Sequence, residues 1–183
     1  EHQRAIRTQY EDNVQSVERA NYAKIAAASF AIYGDTTYPD ATFTLRLAYG
    51  TVKGQTVAGT TIKPFTTIGG TFDLATRRQA DKEFTLPQSW ITAKESLDLS
   101  TPFNFICTAD VIGGNSGSPV VNGEGQVVGL IFDGNLDSLV GDVIFDTENA
   151  RSVAVDSRGM LESLRNVYKA NELVAELTSS TTK

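Results

Sequence analysis

The chain has 183 residues, of which 40 % are hydrophobic and 21 % charged, so a sizeable core can be buried in one domain with or without an appendage. A net charge of −6 argues against a broad nucleic-acid surface, which needs clustered Lys and Arg. No apolar run approaches the roughly 20 residues of a membrane span. The single cysteine, Cys107, rules out an internal disulfide and reads as a buried thiol within the apolar run Phe105-Ile106-Cys107.

Residues 1–33 predict a helix. Tyr10, Val14, Val17, Tyr22, Ile25 and Ile32 recur at or near helical spacing among good helix formers. Gly34 follows as a C-terminal cap, and Pro39 lies shortly beyond. From Asp40 the character changes. Phe43, Leu45, Leu47 and Tyr49 alternate with Thr42, Thr44, Arg46 and Ala48, a half-buried strand pattern. Short strands continue to Gly70, with turns expected at Lys53-Gly54 and Ala58-Gly59. Residues 71–99 are mixed, and Leu86 to Trp90 can open a short helix.

Further strands are predicted at Phe103–Cys107, from Pro119 to Val121, at Val127–Phe132 and at Ser152–Val155. Asn122-Gly123 is a hairpin signal between the second and third of these. A single closing helix is expected over 159–177, with Met160, Leu161, Leu164, Val167, Tyr168, Leu173 and Val174 on its apolar side.

The segment that carries chemistry is Asp110-Val111-Ile112-Gly113-Gly114-Asn115-Ser116-Gly117-Ser118-Pro119. A serine hydroxyl attacks a carbonyl only when a base takes its proton and donors stabilise the oxyanion. A tight glycine-rich turn can aim the N–H groups of Gly114 and Ser116 at one point, because glycine permits the required backbone angles. A phosphate-binding loop is excluded, since no Lys follows the glycines. A strand–turn–helix nucleophile elbow fails too, because a strand follows. A triad also needs a histidine and a carboxylate. The only histidine, His2, stands at the head of the first helix and is a poor candidate for the base.

Gly-Asn-Ser-Gly-Ser-Pro resembles the nucleophile motif of bacterial chymotrypsin-fold peptidases. With Tyr38 to Leu47, Leu99 to Phe105, Gly129 to Asn135 and Val153 to Gly159, the likeness extends to the bacterial dipeptidyl-peptidase 7 and 11 family. It covers nearly the whole chain. It implies a mainly β fold with flanking helices. The second barrel of a double-β-barrel peptidase would span 38–158, the end of a helical insertion 1–37, and a C-terminal helix and tail 159–183. It also implies a periplasmic, cell-surface or secreted bacterial serine peptidase that releases N-terminal dipeptides.

By position, the resemblance makes Ser116 the nucleophile and gives the oxyanion amides to Gly114 and Ser116. Asn115 stands where chymotrypsin has an aspartate that pairs with a newly cut N-terminus, a pairing asparagine cannot make. Phe132, Asp133 and Gly134 fall beside the substrate, with Asp133 near its free amino group. Gly134, where acid-preferring members carry an arginine, is expected to leave the pocket open and uncharged and to favour apolar residues at the second substrate position. Asp110, six residues before Ser116, is the competing clue and would favour basic residues. Its expected role is a hydrogen bond within the loop.

The triad histidine and aspartate would lie on the first barrel. Because the chain begins at Glu1 with no signal stretch, it is expected to be a processed product or a piece of a longer protein, and nearly inert alone. Neither a cofactor nor a metal is expected. The expected partners are peptide substrates and the first barrel of the same polypeptide, without nucleic acid or a membrane span, and a homodimer is left open. The alternatives are an endopeptidase of the bacterial glutamyl type and a non-catalytic barrel.

Overall fold

The structure, a computed structural model, describes residues 2–34, 45–142, 146 and 148–179. Its contacts divide the chain into two compact units, Glu1–Arg46 and Leu47–Lys183. In the first, the predicted helix is α1 (His2–Tyr10) and α2 (Ser16–Tyr33), joined by a π-helical turn over Glu11–Gln15. Gly34 ends it at φ +64, and its N–H reaches the Phe30 carbonyl, so the expected cap is present. No helix among the described residues is long and apolar enough to cross a membrane.

The second unit opens with β1 (Gln55–Val57) and β2 (Thr60–Ile62), a two-stranded hairpin. Its turn is the predicted Ala58-Gly59, and both residues have positive φ (+47 and +79), the twist a two-residue hairpin loop prefers. A five-stranded antiparallel sheet follows in the order β3 (Phe65–Thr67), β4 (Pro102–Cys107), β7 (Ser152–Asp156), β6 (Val127–Gly134) and β5 (Pro119–Val121). Among the described residues this sheet is open, with β3 and β5 at its edges, rather than closed into the expected barrel.

Helices cover the sheet. Thr67 caps α3 (Ile68–Arg77) by accepting the Gly70 N–H at 3.2 Å. This sets Ile68 and Phe72 one turn apart on a buried stripe. They pack with Trp90 and Ala93 of α4 (Gln88–Ala93), the predicted short helix, and with Leu97. A second cluster, Phe105, Ile131 and Ala154, joins the three central strands, with Val111, Val120 and Val128 against it. Cys107 is buried as expected. Asp156 caps α5 (Ser157–Asn166) through the Arg158 N–H at 2.9 Å. α5 lies so close to β4 that a Cβ on Gly159 would come within 2.8 Å of the Pro102 carbonyl.

Three expectations need correction. Residues 45–50 form no strand, and the side chains of Leu45, Leu47 and Tyr49 are exposed. An alternating pattern becomes a strand only where a neighbour accepts its ladder, and the described residues offer none there. The rest of that pattern, Thr42 to Thr44, lies outside the described residues. The hairpin at Asn122-Gly123 exists, but its left-handed residue is Gly125 (φ +77). Asn122 closes the turn instead, since its side-chain oxygen accepts the N–H groups of Glu124 and Gln126, each at 3.0 Å. The single closing helix is two, α5 and α6 (Asn171–Thr178), because Lys169 turns left-handed at φ +57. Tyr168 and Leu173 are consequently exposed, while Val174 is buried.

Candidate active site

Between β4 and β5 the chain makes two consecutive tight turns. The Asn115 N–H donates to the Ile112 carbonyl at 3.1 Å, and the Ser118 N–H to the Asn115 carbonyl at 2.9 Å. The third residue of each turn is a glycine with positive φ, Gly114 at +103 and Gly117 at +86, the requirement of a type II turn. Asn115 links the two, since its side-chain oxygen accepts the Ile112 N–H at 3.0 Å. The Gly117 N–H then donates to the Ile131 carbonyl at 2.7 Å, and the Ile131 N–H to the Ser118 carbonyl at 3.0 Å, which fastens the loop to β6.

This scaffold leaves Ser116 exposed at the second position of the second turn, and its hydroxyl has no hydrogen-bond partner among the described residues. Neither the Gly114 N–H nor the Ser116 N–H donates to the described protein. A hydroxyl and two N–H donors are thus left unengaged within three residues. Asn115 serves the loop's own geometry.

Across from this loop, β6 carries a bulge. Ile131 pairs with Ala154 and Asp133 with Val153, so Phe132 is an extra residue without a partner. The bulge breaks strict alternation: Ile131 is buried, while Phe132 and Asp133 are both exposed. Pairing with β5 ends at Leu130, and among the described residues no strand pairs with 132–134 on that side. An extended peptide can add to such an edge through backbone hydrogen bonds. The Asp133 carboxylate accepts the Gly134 N–H at 2.8 Å.

The space beside Gly134 is not open, contrary to the sequence expectation. A Cβ built there would collide with Ser138 Oγ, lie 3.2 Å from Ser138 Cβ and sit 3.5 Å from the Arg151 carbonyl. A small hollow, with room for about a single water, is lined by Thr108, Asp110, Ser138, Asp146, Arg151 and Ser152 among others. Asp110 faces this hollow rather than bonding within the loop as expected: its carboxylate has no partner among the described residues.

Sequence reasoning missed the cluster that builds this corner. Arg151, 2 % exposed, donates to the carbonyls of Ala150 (2.7 Å), Glu148 (3.1 Å), Gly54 (3.1 Å) and Lys53 (3.3 Å). Asn135 exchanges bonds with it, accepting the Arg151 N–H on its side chain and donating its own N–H to the Arg151 carbonyl, both at 2.9 Å. The Asn135 amide also donates to Gln55 and to the Asn149 carbonyl, each at 2.8 Å. The Asp146 carboxylate accepts the Glu148 N–H (2.7 Å) and the Asn149 amide (3.1 Å), which holds its pKa below the usual carboxylate value. One signal was available: Asn is a preferred helix N-cap residue, and the Asn135 side-chain oxygen accepts the Ser138 N–H at 3.1 Å, which caps the 3₁₀ turn Leu136–Asp142. His2 lies exposed in the other compact unit.

Known proteins resemble this chain in sequence and fold. The peptidase S46 family profile matches residues 1–179. The dipeptidyl-peptidase 7 of Phocaeicola vulgatus is 38 % identical over 149 residues, covering 76 % of this chain and 20 % of that protein. The Asp/Glu-specific dipeptidyl-peptidase of Shewanella putrefaciens is 32 % identical over 194 residues, covering 91 % of this chain and 26 % of that protein. The crystal structure of Porphyromonas endodontalis DPP11 with the dipeptide Arg-Asp superposes with a TM-score of 0.73 at 28 % identity, over 84 % of this chain and 23 % of that one. The chain therefore spans about a fifth to a quarter of the length of these relatives.

Proposed function

From the premise that the chain belongs to the peptidase S46 family, we propose that it carries the nucleophile of a serine-type dipeptidyl peptidase. The observation that carries the reading is the double turn, fastened to β6 at Ile131, which leaves the Ser116 hydroxyl exposed and without a partner among the described residues. Ser116 Oγ attacks the carbonyl carbon after the second substrate residue, and its proton passes to a base. The Gly114 and Ser116 N–H groups take the oxyanion. The intermediate collapses to an acyl-enzyme, the base returns the proton to the leaving amine, and water then releases the dipeptide. In this reading the open sheet is the second barrel of a chymotrypsin-like pair, within the division 1–37, 38–158 and 159–183. The triad histidine and aspartate come from elsewhere in the same polypeptide, and the enzyme works in the periplasm or at the cell surface.

Phe132 and the edge at 132–134 line the peptide, and Asp133, exposed beside the bulge, receives its amino group. Gly134 supplies no charge, which supports a preference for uncharged, apolar second residues over acidic ones. Asp110 is the runner-up, as a selector of Lys or Arg. The hollow it faces has room for about a single water, too little for a Lys or Arg side chain, which disfavours that reading. In the polypeptide that contains this chain, Ser116→Ala lowers kcat for dipeptidyl substrates by roughly a million-fold and leaves the thermal transition unchanged. Undiminished turnover in the variant ends the proposal. Faster cleavage after Lys or Arg than after Leu or Met makes Asp110 the specificity residue.

A further inference from the structure

We propose that Ser138 is a specificity-determining residue, and that positions 134 and 138 share one volume which only one of them can fill. This rests on the reading of 132–134 as the substrate-side edge. Gly134 has no positive φ, so its backbone does not demand glycine. The demand is spatial: the direction a side chain would take is already occupied by Ser138.

Ser138 cannot easily move aside. Its hydroxyl donates to the Asn135 carbonyl at 2.6 Å, and its N–H reaches the Asn135 carbonyl (3.0 Å) and side-chain oxygen (3.1 Å). Asn135 is itself fixed from three sides, by Gln55, Asn149 and Arg151. Ser138 therefore stands on a braced corner. It lines the same hollow as Asp110 and Val111, the residues that lead into the Ser116 loop.

Two consequences follow. With Gly134, the Ser138 hydroxyl limits the depth of the pocket and gives it a polar wall. A larger or charged residue at 134 fits only when 138 loses its hydroxyl. A change of substrate class through position 134 thus requires a change at 138.

The test is a double-mutant cycle in the full polypeptide, using Gly134→Arg, Ser138→Ala and both together. Thermal unfolding and the ratio of kcat/KM for dipeptidyl substrates ending in Asp against Leu are the readouts. Gly134→Arg alone lowers the transition by several degrees and gains little on Asp. Adding Ser138→Ala recovers the transition and raises the Asp-to-Leu ratio by roughly tenfold over Gly134→Arg, the coupling expected of residues in contact. Ser138→Ala by itself shifts the ratio toward larger apolar residues over Ala. Strict additivity in both readouts overturns the proposal. Should Gly134→Arg fail to fold, Gly134→Ala replaces it: it destabilises beside Ser138 and not beside Ser138→Gly, and equal losses in both backgrounds overturn the proposal. Absence of dipeptidyl turnover in the wild type overturns the peptidase reading instead, and the unfolding data still decide whether 134 and 138 compete for space.

Discussion

Two sets of glycines shape the site, and they are glycines for opposite reasons. In the loop, Gly114 and Gly117 hold φ of +103 and +86, yet a Cβ on either would meet nothing within 4 Å. On β6, Gly129 and Gly134 have no positive φ, yet a Cβ on either would run into its neighbours. The loop spends its glycines on backbone angles that present a hydroxyl, whereas the strand spends them on close packing. The first kind of position tolerates no L-residue without strain, whatever its surroundings. The second tolerates one as soon as the neighbour is cut back.

That contrast can be broken by substitution. The largest effect on stability is expected at Gly129, where a Cβ would come within 2.5 Å of the Val155 carbonyl and 2.7 Å of the Phe105 ring. Gly129→Ala costs about 1–3 kcal/mol in denaturant unfolding, the range for overpacking a filled core. A loss below about 0.5 kcal/mol would mean that β6, β7 and Phe105 separate freely. A smaller loss is expected at Gly117. Gly117→Ala costs about 1–2 kcal/mol, the penalty of placing an L-residue at positive φ, and no truncation of a neighbour recovers it. Its effect on turnover is larger than its effect on stability, because the strained turn displaces Ser116. Full activity in Gly117→Ala would show that the second turn does not position the hydroxyl.

Much of the loop was legible in the sequence, because turn chemistry is local: a glycine at the third place of each turn, with Asn115 between them, specifies both turns within seven residues. The same holds for Ala58-Gly59 and for the central strands. The corner at Gly134 was not legible. Its identity as glycine could be read, but the reason depends on where the 3₁₀ turn after Asn135 returns Ser138. Arg151 reads in sequence as an ordinary surface charge, and it is buried because carbonyls of its own loop, Glu148 and Ala150, meet those of the distant Lys53 and Gly54 around it. The break between α5 and α6 was hidden for a related reason. It rests on a lysine in the left-handed region, which lysine seldom occupies and which no sequence pattern announces.

The central claim is that Ser116 is the nucleophile, and covalent trapping tests it most directly. A fluorophosphonate probe is applied to the active polypeptide, and the adduct is mapped by peptide mass spectrometry. One adduct is expected, on the peptide that contains Ser116, and it is lost in Ser116→Ala. An adduct on Ser118 or any other serine, or an active enzyme that takes up no probe, would contradict the claim.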